Sequence, residues 1–224
     1  MSLTFSRRPG RRCRLVAAVC AACLSTFAAG TPVAAQNDHP PAGEPGTELD
    51  GFVGAAANST HTGAAASGIV GWRLTGWARA EARGTWLVRG TGADAFTADV
   101  GVAARVKSTR VARPYVGVGF GLYHAAFTSA GTAPGSEMSA FYRRRLDPAL
   151  TPGSGATFND PVFRVSAGVD WRLPRQVSLR PEASALFIRR DGHGETVALV
   201  GIRLGYRFED RTVTPSRMEH RGGM

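Results

Sequence analysis

Phe163-Arg164-Val165-Ser166-Ala167-Gly168-Val169-Asp170-Trp171-Arg172-Leu173 is the stretch from which the fold can be read. Phe163, Val165, Ala167, Val169, Trp171 and Leu173 alternate with Arg164, Ser166, Gly168, Asp170 and Arg172. A period of two places the two sets on opposite faces of a β-strand, one apolar and one made of charges and very small residues.

Working outward, the same alternation recurs. From Thr196 to Phe208, Ala198, Val200, Ile202, Leu204, Tyr206 and Phe208 oppose Gly201, Arg203, Gly205 and Arg207, with Val197 and Leu199 on the second face. Around Phe96 to Lys107, Phe96, Ala98, Val100, Val102, Ala104 and Val106 oppose Thr97, Asp99, Gly101, Ala103, Arg105 and Lys107. Weaker copies cover about 48–56, 64–74, 76–89, 114–127 and 177–189, so eight strands are expected. Turn residues punctuate them at Asn58-Ser59-Thr60, Thr75-Gly76, Gly90-Thr91-Gly92, Ser108-Thr109-Arg110, Pro174-Arg175-Gln176 and Asp191-Gly192-His193-Gly194. One connection, from about Thr128 to Asp160, is far longer than a hairpin loop. The turns after strands two, four and six are expected to be short and those after the odd strands longer, the asymmetry of outer-membrane barrels.

The contents of the two faces separate a membrane barrel from a soluble one. Arg79, Glu81, Arg83, Asp99, Arg164, Asp170, Arg172, Arg180, Glu182 and Arg203 share their face with glycine, alanine and serine. Such a mixture suits a narrow polar lumen, where small residues make room and opposite charges neutralise one another. Facing water, the glycines would only weaken the strands. On the apolar face Trp72, Trp86, Trp171, Tyr206 and Phe208 lie near strand ends, as girdle residues do at a membrane boundary. The expected fold is therefore all-β, an eight-stranded antiparallel up-and-down transmembrane β-barrel over residues 48–208.

Two segments carry a family resemblance. Arg113-Pro114-Tyr115-Val116-Gly117-Val118-Gly119-Phe120-Gly121-Leu122-Tyr123 resembles the Pro-Tyr-Val-Gly-x-Gly-x-Gly strand of small barrels in the OmpA-like and opacity-type outer-membrane β-barrel superfamily. Val200, Ile202, Leu204, Tyr206 and Phe208 look like the C-terminal signal by which barrel-assembly machinery receives such proteins, although Glu209 to Met224 follow the final aromatic. The resemblance implies a monomer in the outer membrane of a Gram-negative bacterium, with lipid, lipopolysaccharide and the assembly machinery as partners.

The start of the chain reads as an export signal. Arg7, Arg8, Arg11, Arg12 and Arg14 precede an apolar run from Leu15 to about Ala29, then Gly30, Pro32 and the small residues Val33-Ala34-Ala35, with cleavage expected after Ala35. Residues 36–47 read as a flexible periplasmic lead-in and 209–224 as a short periplasmic tail. The formal charge of +10 falls to +5 without the five leader arginines, too diffuse for a nucleic-acid patch. Cys13, Cys20 and Cys23 all lie in the leader, which excludes cysteine chemistry from the mature chain.

Catalytic constellations are missing from the pattern. His124 is followed by Ala125-Ala126, not by the His-x-Ser-Asn element of outer-membrane lipid A deacylases. His61 and His193 have no partners at metal-ligand spacing, and Gly117-x-Gly119-x-Gly121 lacks the spacing of a dinucleotide loop. The chain is not expected to be an enzyme, nor to carry a cofactor or metal. A structural or surface-interaction role is expected, with arginine–acid pairs plugging the lumen and Arg143-Arg144-Arg145 in the long loop as a candidate contact. A narrow, weakly anion-preferring pore is the alternative, and a soluble periplasmic ligand-binding barrel a more distant one.

Overall fold

The computed structural model describes residues 46–58, 61–88, 93–106, 112–133, 138–146, 154–173 and 176–208. The expected signal peptide, most of the lead-in and the tail lie outside the described residues. Eight strands follow in order: β1 (Thr47–Ala57), β2 (Thr62–Arg73), β3 (Ala78–Val88), β4 (Ala93–Arg105), β5 (Ala112–Phe127), β6 (Ala156–Arg172), β7 (Val177–Arg190) and β8 (His193–Phe208). Each pairs antiparallel with its sequence neighbour, and β8 closes on β1.

The register is continuous from pair to pair. Starting at Thr47 and stepping across partners through Trp72, Ala80, Val102, Val118, Val165, Ala185 and Ala198, the path returns to β1 at Ala57, ten residues higher. That stagger over eight strands corresponds to a tilt of about 40° from the barrel axis. At this size the interior is just wide enough for side chains to fill it.

Burial decides which face is which. Along β1, Glu48, Asp50 and Phe52 are buried while Leu49 and Val53 are exposed; along β8, Val197, Leu199 and Arg203 are buried while Val200, Ile202, Leu204, Tyr206 and Phe208 are exposed. The apolar face is outside, which overturns the soluble ligand-carrying barrel, whose apolar face would have to line the interior. Trp72, Trp77, Tyr206 and Phe208 mark the outer surface at the end where the barrel's termini lie, together with the half-buried Trp171. Trp86, Phe96 and Phe187 mark the opposite end.

Two expectations need correction. The long connection is shorter than the sequence suggests, because β6 begins at Ala156. Asn159, Asp160 and Pro161 look like turn residues, yet each has a place in the strand. Asn159 meets His124 on the outside at 2.7 Å, Asp160 is buried inside, and Pro161 stands where β6 is paired to β5 but not yet to β7. The expected loop asymmetry also fails except at this one connection. β7 and β8 are joined by Asp191-Gly192 alone, both at positive φ (51° and 74°), the primed two-residue turn that matches strand twist. His193 and Gly194 belong to β8. The connections at residues 58–61 and 89–92 are no longer than those at 74–77 and 173–176.

Strand length adds a second asymmetry. β1 to β4 have 11 to 13 residues, close to the 9–11 or so that a tilted strand needs to cross hydrocarbon. β5 to β8 have 14 to 17, and the register puts their excess at the end away from the termini. The wall they raise carries the long connection, which contains two short helices, α1 (Ser129–Thr132) and α2 (Ala140–Arg143).

Candidate functional site

The lumen divides into two halves along its axis. In the half nearer the termini, inward positions carry charge, and the charges interlock. Arg203 on β8 donates to Asp50 of β1 from Nε at 2.9 Å and again from its terminal nitrogen, to Glu81 of β3 at 3.0 Å and to Glu182 of β7 at 3.2 Å. Arg180 on β7 gathers a second trio: Asp50 at 2.9 Å, Asp170 of β6 at 2.9 Å and Glu48 of β1 at 2.8 Å. Arg79 bonds Glu48 and Glu81, which ties the two trios together.

Around this centre the pairs are simpler. Arg83 makes a two-pronged contact with Glu182 at 2.6 and 3.1 Å, and the Tyr115 hydroxyl donates to the same carboxylate at 2.7 Å. Arg164 donates to Asp99 at 2.8 Å and to Ser166 at 3.0 Å. Arg105 and Arg207 reach Glu48 at 3.0 and 3.2 Å. Charges taken this far from water persist only when paired and hydrogen-bonded, and here Glu48, Asp50, Glu81, Asp170 and Glu182 each meet two or more arginines, while Asp99 meets Arg164 alone among the described residues.

The glycines are the mould of this network. A Cβ on Gly119 would lie 2.7 Å from the Asp99 carboxylate and 2.9 Å from the Arg164 guanidinium, and one on Gly205 would collide with the Asp50 carboxylate. The glycine-lined strand that gives the sequence its family likeness is thus the wall against which the Arg164–Asp99 pair is laid. At the closing seam Gly54 of β1 faces Gly201 of β8, and the Phe52 ring covers both, its tip 2.8 and 2.7 Å from where their Cβ atoms would be.

The other half of the lumen is mainly apolar, with the buried carboxylates Asp160 and Glu195 toward its cap. Phe52, Ile69, Leu87, Tyr123, Val162, Leu186, Ile188, Val197 and Leu199 form one buried cluster that continues upward into Phe127 and Phe158. Met138, Phe141 and Tyr142 descend from the long connection to close it. Tyr142 stacks at 5.1 Å from both Phe127 and Phe158, and Phe141 meets Tyr142 edge-on at 4.8 Å. Arg145 fastens this cap. It donates to the buried Asp160 at 2.7 Å, and its guanidinium lies 4.8 Å from the Phe158 ring centre and 5.1 Å from that of Phe141.

Of the ten residues expected to line the lumen, Arg79, Glu81, Arg83, Asp99, Arg164, Asp170, Arg180, Glu182 and Arg203 all turn inward and meet at least one partner of opposite charge. Arg172 also points inward but sits half-buried at the mouth, without an ion pair among the described residues. The sequence reading left Glu48, Asp50, Arg105 and Arg207 out of the set, although their parity within β1, β4 and β8 already placed them on the polar face. The triplet in the long loop divides: Arg143 and Arg144 are exposed, while Arg145 is spent on the cap. No group of histidine, cysteine and acid side chains able to hold a metal occurs among the described residues.

No family model matches the sequence, and no curated protein matches it. The fold does have solved counterparts. Neisserial surface protein A superimposes with a TM-score of 0.54 at 13% identity, covering 75% of this chain and 100% of its own. The N-terminal β-barrel domain of Pseudomonas aeruginosa OprF gives 0.48 at 15% identity, covering 74% of this chain and 100% of its own. At such identities the likeness concerns the fold.

Proposed function

We propose that the chain is an integral outer-membrane β-barrel of a Gram-negative bacterium, plugged along its axis, with a structural or surface-interaction role exercised through its capped end. The observation that carries this is the inversion of a soluble protein: a closed barrel with leucine, valine, phenylalanine and tryptophan outside and interlocked arginines and acids inside. Exposed apolar surface on this scale requires a lipid covering. The lumen argues against conduction, because charge pairs fill one half and a capped apolar cluster the other.

The partners follow from the surfaces. The outer face takes lipid. Exposed Arg143 and Arg144 are the candidate contacts for lipopolysaccharide or another anionic surface. Val200, Ile202, Leu204, Tyr206 and Phe208, all outward on the final strand, are the candidate assembly signal. Export by residues 1–35 delivers the chain to the periplasm, and the closed barrel, having no free strand edge, needs no second copy.

The test is fractionation followed by electrophoresis with and without heating. A heat-modifiable band in the outer-membrane fraction is expected, with no stable conductance in planar bilayers. A freely soluble periplasmic product would overturn the membrane reading, and steady channels would overturn the plugged lumen. Loss of lipopolysaccharide binding in R143Q/R144Q would support the surface role; unchanged binding would remove that contact.

A further inference from the structure

We infer that the termini-side mouth of the lumen is a blind binding site for a phosphate-type oxyanion, held by Arg73, Arg113 and Arg172. Five strands present an inward arginine at this mouth: Arg73 closes β2, Arg105 closes β4, Arg113 is the second residue of β5, Arg172 closes β6 and Arg207 stands one residue from the end of β8. Register draws them into one ring. Arg207 is opposite Glu48, Arg113 is opposite Asp170, and Arg172 lies two positions beyond Asp170 on the same face.

Among the described residues the carboxylates at this level are too few. Glu48 takes Arg105 and Arg207, while Asp170 takes Arg180 and lies 3.5 Å from Arg105. Arg73, Arg113 and Arg172 are left with no ion pair or side-chain hydrogen bond among the described residues. The Nε atoms of Arg113 and Arg172 are shielded from water and still lack an acceptor. Elsewhere in this half of the lumen every guanidinium has found a carboxylate, so the deficit is local to the mouth.

The side chains face the axis, so lipid headgroups, which lie outside the barrel wall, are not their complement. A guanidinium offers a planar fork of donors that fits phosphate oxygens two at a time, and several forks around a narrow opening favour a multiply charged ligand. The ligand would enter from the side of the termini and stop against the Arg180 and Arg203 trios. The mouth is therefore a terminus for the anion, not the start of a passage. This goes beyond the surface role proposed above and involves the opposite end of the molecule.

The same chemistry could be supplied by the chain itself, since Glu209 and Asp210 follow directly on Phe208. The experiment is calorimetric titration of pyrophosphate into the full chain folded in lipid nanodiscs, with R73Q/R113Q/R172Q and a chain ending at Phe208 in parallel. Saturable binding, weakened at least tenfold in the triple variant while the heat-modifiable band persists, is the expected result. Equal binding by wild type and triple variant, or no saturation in either, would overturn the site. Binding that emerges only once the chain ends at Phe208 would mean that its own carboxylates fill the ring, and would overturn the free-anion reading. The heat-modifiable band tests the membrane barrel separately, so the two proposals fail by different signs.

Discussion

The two halves of the lumen solve the same packing problem with opposite chemistry. Near the termini the interior is held by about a dozen ionised groups, several with three partners, so that guanidinium positions depend on carboxylates up to 159 residues away in sequence. Toward the cap it is held by ordinary apolar contact, which is non-directional and scales with the area covered. A charge network is intolerant of single losses, because what remains is an uncompensated ion. An apolar cluster degrades by increments as cavities open. The halves should therefore respond differently to the same kind of damage.

The sharpest way to break this contrast is at the hub. Arg203→Ala removes the cation that Asp50, Glu81 and Glu182 share, leaving them only Arg180, Arg79 and Arg83, and a loss of about 3–5 kcal/mol is expected in urea unfolding of the micelle-bound barrel; a loss under about 1 kcal/mol would show that water enters and the network is not buried in practice. In the apolar half, Leu87→Ala, fully buried in the structure, should cost about 2–4 kcal/mol by leaving a cavity, and that cost should barely change when Arg203 is also replaced. Coupling of the two losses would mean that the halves act as one body.

Gly205→Ala tests the mould. The added methyl presses on the Asp50 carboxylate, and about 1–3 kcal/mol of destabilisation is expected from overpacking. Neutral behaviour in thermal melts would deny the glycine that role. Arg145→Ala should move barrel stability by no more than about 1 kcal/mol, in the range of an exposed or partly exposed pair. It should nonetheless speed proteolysis of the 129–154 connection several-fold, since the cap loses both Asp160 and the aromatic rings. Smallest of all, raising potassium chloride from about 0.1 to 1 M should shift the unfolding midpoint of the wild type hardly at all, because buried pairs are poorly screened. A large shift would move the network to the solvent side.

The contrast also marks how far the sequence could be read. The charged half was legible because arginine and aspartate alternating with valine or phenylalanine signal two faces unmistakably, as at Arg164, Ser166 and Asp170. The apolar half was not, since inward Val197, Leu199, Leu186 and Ile188 alternate with outward Ala198, Val200, Phe187 and glycine or alanine, and periodicity fades when both faces are apolar. Asp160 was hidden for another reason, standing between Asn159 and Pro161 as a turn residue would. The cap could not be read at all, because Met138, Phe141 and Tyr142 lie in a short segment whose burial depends on meeting Phe127 and Phe158 in space.

The seam between β1 and β8 has a consequence for how the barrel comes into being. Asp50 and Arg203 stand on its two sides, and Phe52 covers the Gly54–Gly201 contact from within. An open sheet in a bilayer would part Asp50 at one margin from Arg203 and Arg180 at the other, leaving Asp50 only the 3.5 Å contact with Arg79 and Arg203 only Glu182, with each margin short of partners in hydrocarbon at a cost of several kcal/mol. Sealing the cylinder and discharging its margins are then a single event, so partly zipped forms are sparsely populated and the passage from membrane surface to embedded protein is all-or-none.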